Sequence, residues 1–257
     1  MTQFSANLTM LFTEVDFLER FDRAARAGFG AVEYMFPYQY SSDQLAEMLE
    51  RNGLAQALFN LPAGSWDKGE RGIALLPERK NEFREGTSRA IAYAKALHCS
   101  RLNCLVGLTP DIPIERARDT LIGNLKFAAE ALAREKIMLL IESLNTNDIP
   151  NFYLSSTAGV LDLMKDVNHP NLFYQYDVYH MQVMEGNLTE TIRKNIGIIG
   201  HIQIADNPGR HEPGTGEINF RNLFRFIDEA GYRGFIGCEY KPLAKTDEGL
   251  DWIKPYL

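Results

Sequence analysis

The sequence predicts an α/β chain folded as a single (β/α)8 TIM barrel with its active site at the C-terminal ends of the strands. Three observations carry this prediction. The 257 residues match the roughly 250 that one such barrel needs. Short apolar runs alternate with longer stretches of helical period from one end of the chain to the other. Four of those runs end in a residue able to bind a metal: Glu142 after Ile137-Met-Leu-Leu-Ile, Asp177 after Leu172-Phe-Tyr-Gln-Tyr, Gln203 after Ile199-Gly-His-Ile, and Glu239 after Phe235-Ile-Gly-Cys. A parallel barrel arranges such strand-terminal side chains around its mouth.

In chain order, a strand over residues 4–8 leads to a helix over 16–27, and a strand over 31–34 to a helix over 42–51. The third strand, 54–59, is followed by a segment in which Pro62, Gly64, Gly69 and Gly72 interrupt any period. Residues 60–72 therefore read as a long βα loop on the active face, with a lid as the functional reading. A helix over 77–97 then precedes a strand over 101–105, a helix over 114–134 a strand over 137–141, and a helix over 156–167 a strand over 172–176. Strands over 199–203 and 235–238, with helices over 188–194, 219–230 and 246–252, bring the count to about eight β/α units, enough to close a barrel. Glycine follows several helices, in Ala27-Gly28-Phe29, Asn52-Gly53-Leu54 and Ala230-Gly231-Tyr232, where a left-handed cap turns the chain into the next strand. No linker or low-complexity tract divides the chain, so one domain over 1–257 is expected.

Hydrophobic content of 45% beside 24% charged residues suits a soluble globular protein with a full core. The net charge of −7 and the lack of any Lys/Arg run argue against a nucleic-acid partner, because phosphate neutralisation needs clustered cations. Cys99, Cys104 and Cys238 are odd in number, lack CxxC spacing and sit in or beside apolar runs, so they read as reduced core residues. The N-terminus lacks a leader-like pattern, and no apolar run approaches the ~18 residues of a membrane span. A cytoplasmic location without a membrane partner is expected.

An acid after a buried strand can simply cap the next helix. Four such residues together point to a shared cation. Glu, Asp, Gln and Glu are all oxygen donors, which suit Mg²⁺ or Mn²⁺ better than zinc. Without a cation, two glutamates and an aspartate would bury their negative charges side by side.

The strings Ile141-Glu142-Ser-Leu-Asn145, Tyr176-Asp177-Val-Tyr-His180, His201-Ile-Gln203-Ile-Ala-Asp-Asn-Pro, Glu212-Pro-Gly-Thr-Gly-Glu217-Ile-Asn and Gly237-Cys-Glu239-Tyr-Lys241-Pro resemble the hydroxypyruvate isomerases of the xylose-isomerase-like TIM-barrel superfamily. The likeness extends to Phe4-Ser-Ala-Asn7-Leu, Val32-Glu33-Tyr-Met-Phe-Pro37 and Asn60-Leu-Pro-Ala-Gly64, and so spans essentially the whole chain. It implies a divalent cation, Mg²⁺ or Mn²⁺, held by Glu142, Asp177, Gln203 and Glu239, with Glu142 and Glu239 as the catalytic acid/base pair. The implied reaction interconverts hydroxypyruvate and 2-hydroxy-3-oxopropanoate (tartronate semialdehyde) through an enediolate, in glyoxylate-linked carbon metabolism. Related ketose epimerases usually carry His at the third-strand ligand, so Gln203 is a departure shared with the narrower branch. His180, Arg210 and Asp148 match positions that contact substrate in those epimerases. A 2-oxo-tetronate isomerase or a ketose 3-epimerase would share nearly all of these motifs and is the alternative.

Plainer roles compete for individual residues. His180 can be a structural histidine bonded to a backbone carbonyl, and Arg210 either a solvated loop cation or the fork that holds a substrate carboxylate. Glu33, at the end of the second strand, can contact substrate or pair with a neighbouring cation, pairing being the expectation, and Lys241 is expected to pair with one of the acids near Glu239. Lys68 and Arg71, in the 60–72 segment, can grip an anion or be solvated. Phe36, Tyr38, Tyr40, Trp66 and Tyr240 either wall off the mouth or belong to the core. A metal-dependent nuclease on this barrel would need several metals and many histidines, and only His180 of the five histidines adjoins an expected ligand. The four ligand-type residues also speak against a silent binding protein. A small hydroxy-oxo acid is the expected partner, and a homodimer the expected assembly.

Overall fold

The computed structural model describes residues 2–256, and among them eight parallel strands close a barrel in chain order. The strands are β1 (Gln3–Asn7), β2 (Ala31–Glu33), β3 (Ala55–Asn60), β4 (Arg101–Cys104), β5 (Met138–Glu142), β6 (Leu172–Asp177), β7 (Ile199–Ile204) and β8 (Phe235–Cys238). The helices around them are α1 (Arg20–Arg26), α2 (Ser42–Asn52), α3 (Lys80–Ala96), α4 (Ile114–Arg134), α5 (Thr157–Val167), α6 (Val178–Met184), α7 (Leu188–Asn195) and α8 (Phe220–Glu229), and a 3-10 stretch, Thr246–Tyr256, follows β8. Among the described residues no helix is long and apolar enough to cross a membrane.

The predicted (β/α)8 architecture is the observed one, with one α-helix added. Helix α6 starts directly after β6, where Val178-Tyr-His-Met-Gln-Val-Met offers little helical period. What begins it is Asp177, whose Oδ1 accepts from the backbone N–H of Tyr179 at 2.8 Å and of His180 at 3.2 Å, an N-cap. Elsewhere the local signals act as expected. Ser41 and Gln44 form a capping box at the start of α2, and Gly53, at φ 63°, ends that helix in the left-handed region.

Strand alternation separates two environments. Leu102, Leu139, Ile141, Tyr174, Tyr176, Ile202 and Ile236 join the apolar layer beneath the helices. The intervening Asn7, Glu33, Asn103, Glu142, Gln175 and Gln203 are buried polar residues that bond to one another across the barrel interior. Register sets their heights: Asn7 lies opposite Glu33, Glu142 opposite Gln175, Asp177 opposite Gln203, and Gln203 opposite Gly237. Cys99, Cys104 and Cys238 are free and buried, as predicted.

Residues 60–72 form a wall at the strand ends. The Gly72 N–H donates to Ala63 O at 3.0 Å and closes the neck of the loop. Gly72 also packs on the backbone of Leu105 and Gly107 so closely that a Cβ would overlap both. Within the loop, the Arg71 guanidinium lies 4.0 Å from the ring centre of Trp66, a cation–π contact, and Trp66 packs against Phe36.

Candidate active site

Glu142, Gln203 and Glu239 reach one cavity of about 120 Å³ at the C-terminal ends of the strands, together with Asn7, Gln175, His180 and Arg210. Wider space lies outside it, against Arg71, Asp148, Tyr179 and Lys241, with Met10, Trp66, Ile149 and Arg210 common to both.

Amide groups hold the carboxylates from below. Glu142 Oε2 accepts from Asn103 Nδ2 and from Gln175 Nε2, both at 2.9 Å. Glu239 Oε1 accepts from Asn7 Nδ2 at 3.0 Å, and its Oε2 from Arg210 Nη2 at 2.6 Å. Asp177 is divided between two tasks. Its Oδ1 caps α6, while its Oδ2 is buried without a hydrogen-bond partner. The helix-cap reading of the sequence and the ligand reading thus apply to different oxygens of one side chain.

Burial and the neighbouring carboxylates of Glu239 and Asp177 push the Glu142 carboxyl well above the usual range. Burial also raises Glu239, to about 8, against the opposing pull of the Arg210 guanidinium. Glu33 behaves differently. Burial works against its charge as well, but the imidazole of His201 and hydrogen bonds from His201, Gln203 and Ser5 keep it below the ordinary range. Glu33 meets no Lys or Arg among the described residues; in place of the expected cation its Oε2 bonds the His201 ring, at 2.8 Å.

His180 is buried, and burial lowers its pKa to about 4, so the ring is neutral near pH 7. Its Nδ1 faces the backbone N–H of Asn145 at 3.2 Å and the Asn145 side-chain amide at 2.7 Å. That amide is oriented by Asp148, whose N–H donates to Asn145 Oδ1 and whose carboxylate accepts from Nδ2. Facing two donors, Nδ1 must accept, so Nε2 carries the ring proton, 3.7 Å from Asp177 Oδ2. Asp148 sits at the rim; burial raises its pKa, but bonds from Asn145 and the Tyr179 hydroxyl outweigh that and keep it ionised.

Arg210 departs from a solvated loop cation. It is largely buried, bonded to Glu239 and 3.6 Å from Asp177. Lys241 does not pair with an acid: it is exposed, has no ion pair among the described residues, and Arg210 takes the place expected for it. Of the aromatics, Trp66 reaches the cavity, whereas Tyr40 stacks on Phe17 and Tyr240 is core.

Sequence reasoning missed Asn7, Asn103 and Gln175. Each lies on an inward face of a strand, but as a neutral amide it lacks the signal that a carboxylate carries. It also missed Asp206, which is fully buried and accepts from the N–H groups of Asn207, Gly214, Gly216 and Ile218 at 2.8–3.1 Å. This carboxylate organises the loop that carries Arg210.

Ligand atoms of Glu142, Asp177 and His180 lie within 4.8 Å of one another, and with both His180 nitrogens engaged the carboxylates are what this group offers a metal ion. The bare Asp177 Oδ2 and the acid-rich donor set fit a hard cation. A family model described as a xylose isomerase-like TIM barrel matches residues 21–256. The chain belongs to this family. It is 53% identical to hydroxypyruvate isomerase of Escherichia coli strain K12 over 257 residues, the whole of both chains. It is 46% identical to 2-oxo-tetronate isomerase of Cupriavidus necator, over all of this chain and 99% of that one. A crystal structure described as AP endonuclease, family 2, from Brucella melitensis superposes with a TM-score of 0.98 at 45% identity, covering 100% of this chain and 99% of that one. The D-allulose 3-epimerase of a Methylomonas species shares the fold, with a TM-score of 0.79 at 20% identity over 100% of this chain and 99% of that one. This member of the xylose isomerase-like family is an isomerase.

Proposed function

We propose that this barrel interconverts hydroxypyruvate and 2-hydroxy-3-oxopropanoate through an enediolate, as a divalent-metal-dependent isomerase. The observation that carries the reading is the pair Glu142 and Glu239, two buried carboxyl groups that line one small cavity. Moving the carbonyl from C2 to C3 breaks the C3–H bond, forms a C2–H bond and shifts the hydroxyl proton from O3 to O2, with no net change in electrons. Two carboxyl groups on one cavity can serve as base and acid for such a transfer. His180 offers its Nε2–H to a substrate oxygen, and Arg210 and Asp148 complete the polar wall.

Glu142, Asp177, Gln203 and Glu239 would hold the cation, Mg²⁺ by preference. When bound, it would neutralise these acids and stabilise the charge that develops on adjacent substrate oxygens.

The cavity of about 120 Å³ accommodates the reacting end of a short acid, and the wider space beside it, lined by Arg71 and Asp148, leaves room for the rest. Arg71 supports an anionic substrate. Its Nη1 is tied to Trp66 O and Glu70 O, while Nε and Nη2 have no acceptor among the described residues. The 46% identity to a 2-oxo-tetronate isomerase favours a second reading in which the acid is one carbon longer. Nucleic-acid hydrolysis lacks support from a chain of net charge −7 whose candidate metal group contains one histidine, His180.

Proton NMR of hydroxypyruvate in D₂O, with protein and Mg²⁺, tests the proposal. Chelator-sensitive deuterium incorporation with appearance of the aldehyde is expected. No exchange with any divalent cation would sink the substrate assignment, and faster exchange with 2-oxo-tetronate would select the longer acid.

A further inference from the structure

We infer that Glu33 is a positioning residue whose carboxylate decides which end of the Gln203 amide faces the site, making Gln203 an oxygen donor. The inference rests on the reading of Gln203 as a cation ligand.

The two ends of a carboxamide are nearly the same size and opposite in polarity, so packing alone does not choose between them. Glu33 does. It is fully buried on β2, outside the residues that line the cavity. Its Oε1 accepts from Gln203 Nε2 at 2.7 Å and from Asn7 Nδ2 at 3.2 Å. Its Oε2 accepts from Ser5 Oγ and His201 Nε2, each at 2.8 Å. An ionised carboxylate only accepts, so the end of Gln203 that meets it must be the NH₂ group.

The opposite end of Gln203 meets a donor. Gln203 Oε1 accepts from Gln175 Nε2 at 2.5 Å, and the same Nε2 donates to Glu142 Oε2 at 2.9 Å. Glu33, Gln203, Gln175 and Glu142 thus form a carboxyl–amide–amide–carboxyl chain in which Gln175 donates both ways, to Gln203 and to Glu142, and Gln203 donates on to Glu33. Turning Gln203 over would set C=O against the Glu33 carboxylate and NH₂ against NH₂ at Gln175. It would also aim N–H groups at a cation. Gly237, paired with Gln203 in register, makes room for Glu33, because a Cβ there would overlap both oxygens of its carboxylate.

Exchanging the two residues tests this. Calorimetric titration with Mn²⁺ reads affinity without turnover. Glu33→Gln is expected to weaken binding about 10–100-fold, the usual effect of removing a partner that orients a ligand. Gln203→Glu is expected to weaken it too, because two carboxylates then face each other. The double variant E33Q/Q203E restores opposite partners, an amide at 33 donating to a carboxylate at 203, and is expected to bind within a few-fold of the original. A merely structural role predicts two losses that add. Unchanged affinity in Glu33→Gln, or a double variant no better than the singles, overturns the inference. Thermal unfolding of each variant reports whether it folds, and Gly237→Ala, which displaces the carboxylate without removing it, provides a second route to the same loss. If the unaltered protein binds no Mn²⁺, the ligand reading fails by itself. The hold on Gln203 is then read by NMR: slow exchange of its side-chain NH₂ protons is expected to be lost in Glu33→Gln, and retention overturns the role of Glu33.

Discussion

Arg210 donates from Nη2 to Glu239 Oε2 at 2.6 Å while the same nitrogen lies 3.6 Å from Asp177 Oδ2. One guanidinium therefore restrains the proton affinity of a carboxyl whose burial drives it upward. Arg210→Ala removes that restraint. In the metal-free protein the Glu239 pKa is expected to rise beyond about 8, read from its side-chain carboxyl carbon by NMR titration, and KM for hydroxypyruvate in the metal-loaded protein is expected to rise at least tenfold. A carboxyl titration that does not move would separate Arg210 from the proton affinity of Glu239.

Stability of the metal-free protein depends on pH with a definite sign. The folded Glu239 pKa of about 8 lies above its ordinary 4.5, so between those values the folded state holds a proton that the unfolded chain has released. The contribution of this group is complete below pH 4.5 and is lost as pH rises to about 8. Urea midpoints of chelated protein should be lower at pH 8 than at pH 5.5. Adding Mn²⁺ should recover more stability at pH 8, and at pH 7 it should release protons into weak buffer.

Arg71 distinguishes an acid from a neutral substrate. With Nη1 bound to the loop backbone and the ring of Trp66 beneath the guanidinium, the free donors are pre-organised. Arg71→Ala should raise KM for hydroxypyruvate about tenfold or more while changing that for dihydroxyacetone, which lacks the carboxylate, by less than about twofold. This corresponds to the roughly 1.5–3 kcal/mol of a hydrogen bond to a charged group. Equal effects on both compounds would remove Arg71 from substrate recognition.

Asp206 holds its loop through four backbone N–H groups. Asp206→Asn turns one acceptor oxygen into a donor. The expected cost is about 1–3 kcal/mol of stability for the donors left without a partner, and a higher KM because Arg210 rides on the same loop. Denaturant unfolding and steady-state kinetics measure the two effects. Intact kinetics beside a large stability loss would show that the loop does not place Arg210.

The fold was legible because its signals are local. Strand and helix follow from the spacing of apolar side chains over a few residues, and Gly53 and Ser41 mark their ends by backbone geometry and capping. Helix α6 escaped because it depends on one cap from Asp177 rather than on a period. Lys241 was misread for a related reason. It and Arg210 are both cations close to Glu239 in space, and composition does not say which of them reaches it.

By itself the sequence determined that a barrel forms and that Glu33, Glu142, Asp177, Gln203 and Glu239 stand at the ends of its strands. These are consequences of periodicity, which each segment carries alone. Only the tertiary structure decided which oxygen of Asp177 remains bare, which nitrogen of His180 keeps its proton, which cation meets Glu239 and which end of Gln203 faces the cavity. Each of those outcomes depends on a hydrogen-bonding partner brought in from another part of the fold. Asn7 and Glu239, 232 residues apart in the chain, bond only because the closed barrel makes β1 and β8 neighbours.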